Sequence, residues 1–195
     1  MSAPLTIDDI VDQRAYERER AEFRRHVIAL KRLRRVGVGP FVTLVFENRD
    51  TIRFQIQEMA RAEKILTDEG IQTELDVYNP LIPDPGQLSA TLFVELTSQE
   101  ALREWLPKLV GIERSIVIKV AMDNIRCLPE SSHEQQLTRD DVTASVHYVR
   151  WELTPEQVAA FASGPVELVV DHAAYEASSQ LTEATRAELL ADLMM

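Results

Sequence analysis

The chain has 195 residues, a formal net charge of −11, and 45% hydrophobic against 27% charged residues. That length supports one α+β domain over 1–195, or two halves at 1–122 and 145–195 joined by a polar loop at 123–144, with a core large enough to need no disulfide staple. The single cysteine, Cys127, cannot form a disulfide within the chain, and the acidic balance disfavours broad binding to nucleic acid or anionic membranes.

No run approaches the roughly 18 apolar residues of a membrane span, and the first residues show no basic-then-apolar signal pattern, so the sequence reads as a cytoplasmic protein. Thr6-Ile7-Asp8-Asp9 reads as a helix start, with acids in its first turn. A long helix is predicted from about Arg14 to Val36, ended by Gly37, Gly39 and Pro40. Tyr16, Phe23, Val27 and Leu30 follow helical spacing and form its core face. Charge is unevenly spread: residues 1–40 carry nine Lys/Arg and six Asp/Glu, the remaining 155 carry twelve and twenty-six. Arg24, Arg25, Lys31, Arg32, Arg34 and Arg35 form a basic run without an acid. Two readings of it stand: cations matched to the helix dipole and turned to solvent, or a patch for phosphate or nucleic acid through Arg25, Arg34 and Arg35. No aromatic interleaves the run, which gives base stacking no platform.

The stretch Phe41 to Gly70 organises the chain. Val42 to Phe46 reads as a buried strand with Val42, Leu44 and Phe46 on one face and Thr43, Val45 and Glu47 on the other. After the turn Asn48-Arg49-Asp50, a helix capped by Asp50 or Thr51 is predicted to run to Gly70. Ile52, Ile56, Met59, Ala60, Ala62 and Leu66 make its apolar arc, with Glu63 near the middle and Glu58 at the edge. A carboxylate in such a stripe needs a basic partner, backbone donors or a metal.

Ile71 to Val77 reads as a short strand, and Tyr78-Asn79-Pro80-Leu81-Ile82-Pro83-Asp84-Pro85-Gly86 as a rigid connection able to wall a pocket. Two similar β-α-β units then follow, which favours mixed sheets with packed helices. The first runs from a strand at Ala90–Leu96 through a helix opened by the capping box Thr97-Ser98-Gln99-Glu100 to a strand at Ser115–Ala121. The second runs from Val146–Leu153 through a helix opened by Thr154 and Pro155 to Val166–Asp171. The polar stretch 123–144 between them, with His133, reads as an exposed loop. Glu183 to Met194 closes the chain as a helix with Leu189, Leu190 and Leu193 inward.

His147 and His172 align with core faces at strand ends. Each suits either a hydrogen-bonded structural role or metal ligation. With Glu47, Glu58, Glu63 and Glu95 they form a candidate donor set for Fe, Mn or Zn; Tyr78 and Asn79 join Arg25, Arg34 and Arg35 as candidate ligand-binding residues. No HExxH, CxxC, nucleophile elbow or glycine-rich phosphate loop is present.

The segments RAYERERAEFRRHVIALKRLRRVGVGP, VTLVFENRDTIRFQIQEMARAEKI, ELDVYNPLIP, SVHYVRWEL and VDHAAYEA together resemble a bacterial family known only as a domain of unknown function. The resemblance spans nearly the whole chain and is most specific at QIQEM and YNPLIP. It implies an accessory role beside rubrerythrin-like di-iron or iron–sulfur oxidoreductase partners, in redox or peroxide-stress chemistry. It carries over no catalytic residue.

Overall fold

The computed structural model describes residues 3–130 and 141–194. Helix α1 (Gln13–Arg34) starts at Asp12, whose carboxylate accepts from the Ala15 N–H, and places Lys31, Arg32 and Arg34 in its last turn. The chain then leaves the helix earlier than expected. Val36 and Val38 alternate into the core while Arg35 and Gly37 face outward, so Arg35–Val38 form strand β1. It pairs antiparallel with β2 (Val42–Glu47), which is buried along its whole length.

Asn48, not Asp50 or Thr51, caps helix α2 (Arg49–Glu63): its side chain accepts from the Thr51 N–H, and the Thr51 hydroxyl accepts from the Asn48 N–H. α2 also ends before Gly70, at Glu63, where Lys64 turns left-handed with φ 57°. The core face is therefore Ile52, Ile56 and Ala60, and Glu63 sits exposed beyond the last packed turn. Gln57, on the expected wet face, is buried and satisfied by the backbone N–H and C=O of Val11.

The strand expected at 71–77 is a helix, α3 (Asp68–Tyr78). Those residues alternate, yet Ile71, Leu75 and Tyr78 also recur at helical spacing and pack together, whereas Thr73 and Val77 face solvent. Thr67 caps the helix by accepting from the Gly70 N–H, with Asp68 and Glu69 in the first turn.

The remaining elements are β3 (Gln87–Val94), α4 (Gln99–Trp105), β4 (Ile116–Val120), β5 (Asp123–Arg126), β6 (Leu128–Pro129), β7 (Val146–Glu152), α5 (Pro155–Ser163), β8 (Val166–His172), β9 (Tyr175–Gln180) and α6 (Glu183–Met194). Ser98, one residue after the expected Thr97, caps α4, and Thr154 caps α5 as expected. The expected polar loop at 123–144 contains β5 and β6; residues 131–140, His133 included, lie outside the described residues.

The class is α+β, with two sheets ordered β1-β2-β3-β7-β6 and β5-β4-β8-β9. Among the described residues every pairing is antiparallel, so the sheets are not mixed there. The two strand–helix–strand units are real but do not make parallel crossovers. Each helix carries the chain from one sheet to the other, so β3 pairs with β7 in the first sheet and β4 with β8 in the second.

The core lies between the sheets: Leu44, Phe46, Leu92, Val149 and Trp151 from the first pack with Ile116, Ile118, Leu168 and Val170 from the second. A polar tie joins the sheets as well. The Tyr175 hydroxyl donates to the Val38 carbonyl at 2.6 Å. Gly39 makes room for it, since a Cβ there would meet the Tyr175 oxygen at 2.3 Å.

His147 lies on this core face opposite Leu92 and is 2% exposed. Its Nε2 is 2.9 Å from the Ala144 carbonyl and 2.9 Å from the Thr143 hydroxyl. A carbonyl only accepts, so Nε2 carries the proton of the neutral ring. Burial holds the imidazole below its ordinary value, against the opposing pull of Glu113 and the Ala144 carbonyl.

Arg34 closes the fold. It is 1% exposed, and its guanidinium makes two bonds to Asp192, at 2.7 and 2.9 Å, and two to Glu188, at 3.0 and 3.1 Å. A further bond of 3.4 Å reaches the Glu47 carbonyl. One side chain of α1 thus fixes α6 and the end of β2. Burial pushes the Asp192 carboxyl above its ordinary value even with the guanidinium beside it.

Two predictions follow from these buried groups. Arg34→Ala strands a buried carboxylate and should cost about 3–5 kcal/mol, while exposed Glu63→Ala should change stability by less than about 0.5 kcal/mol. Urea denaturation of both variants decides it, and equal losses would contradict the assignment. For His147, the unfolded chain takes up a proton near pH ~6.5 that the folded chain refuses, so stability should be full above that pH and fall below it. His147→Gln should flatten that decline between about pH 7 and about pH 5; an unchanged slope would assign the acid loss to other groups.

Candidate functional site

The outer face of the first sheet is unusual for a buried surface. Thr43, Glu47, Ser89 and Thr91 stand on it and are each buried, alongside Val45, Phe93 and Tyr148. Strand alternation puts them there, because Val42, Leu44 and Phe46 take the opposite face. Helices close over it: Lys31 comes from α1, Ile52 and Gln55 from α2, Tyr78 from the end of α3, and Leu81 from the turn that follows. Between helices and sheet remains a recess of about 210 Å³, lined also by Glu47, Thr91, Phe93, Val146 and Tyr148. That is space for several waters or a small organic ligand.

Glu47 is the chemically distinctive group. It is 6% exposed, and the Thr91 hydroxyl donates to its Oε1 at 2.7 Å. Among the described residues it has no ion-pair partner. A buried carboxylate loses hydration that one neutral hydroxyl restores only in part. Burial pushes the Tyr148 phenol up to about 12, and Tyr78 and Glu47 push it further in the same direction. Tyr148 therefore keeps its proton at neutral pH and acts in this recess as a hydroxyl. The combination of a carboxylate, two phenols, an amide and an ammonium over an apolar floor suits binding.

The other expected site residues are placed as follows. Glu58 is paired with Arg20, at 2.7 and 2.9 Å, and accepts from the Tyr16 hydroxyl at 2.7 Å. Arg20, foremost, holds its carboxyl below the ordinary range. The basic partner that a carboxylate on this helix needs is thus found at Glu58 and not at Glu63. Glu95 is exposed, bonded by Thr43 and Arg35, and Thr43 leads in holding its pKa down. His172 bonds the Val110 carbonyl through Nε2 and accepts from the Ala174 N–H, both contacts structural. Glu47, Glu58, Glu63, Glu95, His147 and His172 do not converge, and among the described residues no three His, Cys, Asp or Glu side chains are grouped to hold a metal ion.

The ligand-binding candidates divide. Arg34 is consumed in the α6 ion pair, so it is a structural residue and not a binding one. Asn79 clamps the N-terminal segment through both the N–H and the carbonyl of Leu5, at 2.9 Å each. Arg35 is paired with Glu95, and Arg25 stays exposed on α1. Only Glu47 and Tyr78 reach the recess.

Lys31, Gln55, Thr91 and Tyr148 were not singled out from the sequence as site residues. The available signal was polar side chains on strands whose opposite faces are apolar, at Glu47, Thr91 and Tyr148. Cys127 offers no reactive thiol: it is buried, donates to the Glu113 carbonyl at 3.1 Å, and burial pushes its pKa up to about 12. A second recess of about 160 Å³, beside Ile7, Ile10, Leu66 and Ile71, holds no buried unpaired charge among its lining residues.

Among the described residues no helix is long and apolar enough to cross a membrane. No characterised protein matches the chain at a significant level. A crystal structure from Burkholderia pseudomallei K96243, described as a novel protein of unknown function, is 35% identical and superposes with a TM-score of 0.89. The alignment covers 98% of this chain and 100% of that one. The family model described as "Protein of unknown function (DUF3501)" matches residues 4–193, and the chain belongs to that family.

Proposed function

We propose that this chain is a cytoplasmic accessory protein that binds a small polar molecule in the recess between α1, α2 and the outer face of the first sheet. One observation carries the reading: a 6% exposed carboxylate, Glu47, lines that recess with no ion-pair partner among the described residues. Buried charges are ordinarily paired. A hydrogen-bond donor or cation from a ligand supplies what the protein leaves out. Thr91 fixes one oxygen of the carboxylate, and Tyr78, Tyr148 and Gln55 offer adaptable polar contacts around it.

The redox setting of this role comes from the sequence resemblance, which implies a rubrerythrin-like or iron–sulfur partner. The binding role comes from the recess. The two are compatible: a carrier or sensor of a small metabolite serves a redox enzyme without performing electron transfer itself.

A thermal-shift screen of small amines, polyols, amino acids and carboxylates tests the binding role. A ligand at about 100 times its Kd should stabilise the protein by about 2.7 kcal/mol. Glu47→Gln should weaken any true ligand by about tenfold or more, and Tyr148→Phe by a smaller factor. Hits that bind both variants as tightly as the parent, or a screen without hits, would contradict the assignment of this recess.

A further inference from the structure

We infer that the ligand of this recess is a small zwitterion, an amino-acid-like molecule whose ammonium group meets Glu47 and whose carboxylate meets Lys31. The inference rests on the binding role proposed above and adds the chemical class of the ligand.

Its basis is a census of charge on and around α1. Arg20 is paired with Glu58, Arg34 with Asp192 and Glu188, and Arg35 with Glu95. Arg14, Arg18, Arg24, Arg25, Lys31 and Arg32 have no carboxylate partner among the described residues, and of these only Lys31, which is half-buried, lines the recess. Glu47 lines the same recess and is also unpaired. Two opposite charges thus face one small space without bonding each other. Neither is cheaply left alone when water is displaced, because desolvation weakens each unless a counter-charge arrives.

Ligands with a single charge solve half of this problem. A simple amine satisfies Glu47 but brings a second cation near Lys31. A simple carboxylate satisfies Lys31 but brings a second anion near Glu47. A molecule carrying both groups satisfies both, and like-charge juxtaposition discriminates against the two half-ligands. The rest of the lining sets the remainder of the molecule. Ile52, Leu81, Phe93 and Val146 present apolar surface, so a modest aliphatic or aromatic side chain fits a volume of about 210 Å³. Tyr78 and Tyr148 also line the recess.

Isothermal titration of the full chain tests this with shape-matched probes. The probes are L-leucine with 3-methylbutylamine and 4-methylpentanoate, and L-phenylalanine with 2-phenylethylamine and 3-phenylpropionate. At least one amino acid should bind about tenfold or more tightly than both of its single-charge halves. Glu47→Gln should weaken that amino acid and tighten the acid half, which no longer meets a second anion. Lys31→Met should weaken it and tighten the amine half, which no longer meets a second cation. Lys31 is partly exposed, so its variant reports binding even if the Glu47 variant is destabilised.

Equal affinity of an amino acid and its halves overturns the zwitterion, as does failure of all six probes. If those probes fail while other hits of the broader screen depend on Glu47, the recess binds but its ligand belongs to another class. If no hit depends on Glu47, the binding role itself falls.

Discussion

The fold is closed by one buried guanidinium. Arg34 stands at the last turn of α1, where an arginine would ordinarily be a solvated match to the helix dipole. Instead it is sealed under α6 and binds Asp192 and Glu188. Taking these charges out of water has a high cost, so the arrangement is stable only because both carboxylates come with it. Its fifth contact, to the Glu47 carbonyl, ties the same device to the end of β2. The position of the Glu47 side chain in the recess is therefore set partly by a helix at the other end of the sequence.

That connection explains how a polar site persists inside a packed domain. The first sheet has an apolar face against the second sheet and a mixed face beneath the helices. Thr43, Val45 and Glu47 share the strand with Val42, Leu44 and Phe46, so neither set can be turned to water without exposing the other's neighbours. Leu5, Ile10, Ile52, Ile56, Leu75 and Leu81 form a second, smaller apolar cluster above that face. Its helices hold the roof of the recess, and Asn79 and Gln57 fasten the N-terminal segment to them.

Much of this was legible in the sequence where periodicity was unambiguous. The two faces of β2, the cap at Thr154, and the closing helix from Glu183 all follow from local rules. Failures arose where two periods coexist, as at Ile71–Val77, or where a helix stops without a glycine, as at Lys64. Ending α2 at Glu63 also moves the carboxylate problem: the apolar arc places it on Glu63, whereas Glu58 carries the ion pair and Glu47 carries the burial. The recess was half visible, through Glu47 and Tyr78. Lys31, Thr91 and Tyr148 meet there only through sheet register and helix packing, which single-chain spacing does not encode. Arg34 and Arg35 looked alike in the basic run, yet one is sealed in and the other is not.

The long sequence separation within the Arg34 contact has a consequence for how the protein is made. Asp192 lies 158 residues after Arg34 and Glu188 lies 154 after it. At roughly 5–20 residues per second, a ribosome needs on the order of 10–30 s to supply these partners once Arg34 has been made. During that interval α1 can form, and β1 can pair with β2, but the guanidinium has no counter-charge and keeps its hydration. The end of β2 can pair with β3 at Glu47 and Ser89 in that time, but its link to α6 through Arg34 waits for the last residues. A nascent chain thus passes through a stage with a solvated arginine where the finished protein has a lock, and that lock forms last although its arginine is translated early.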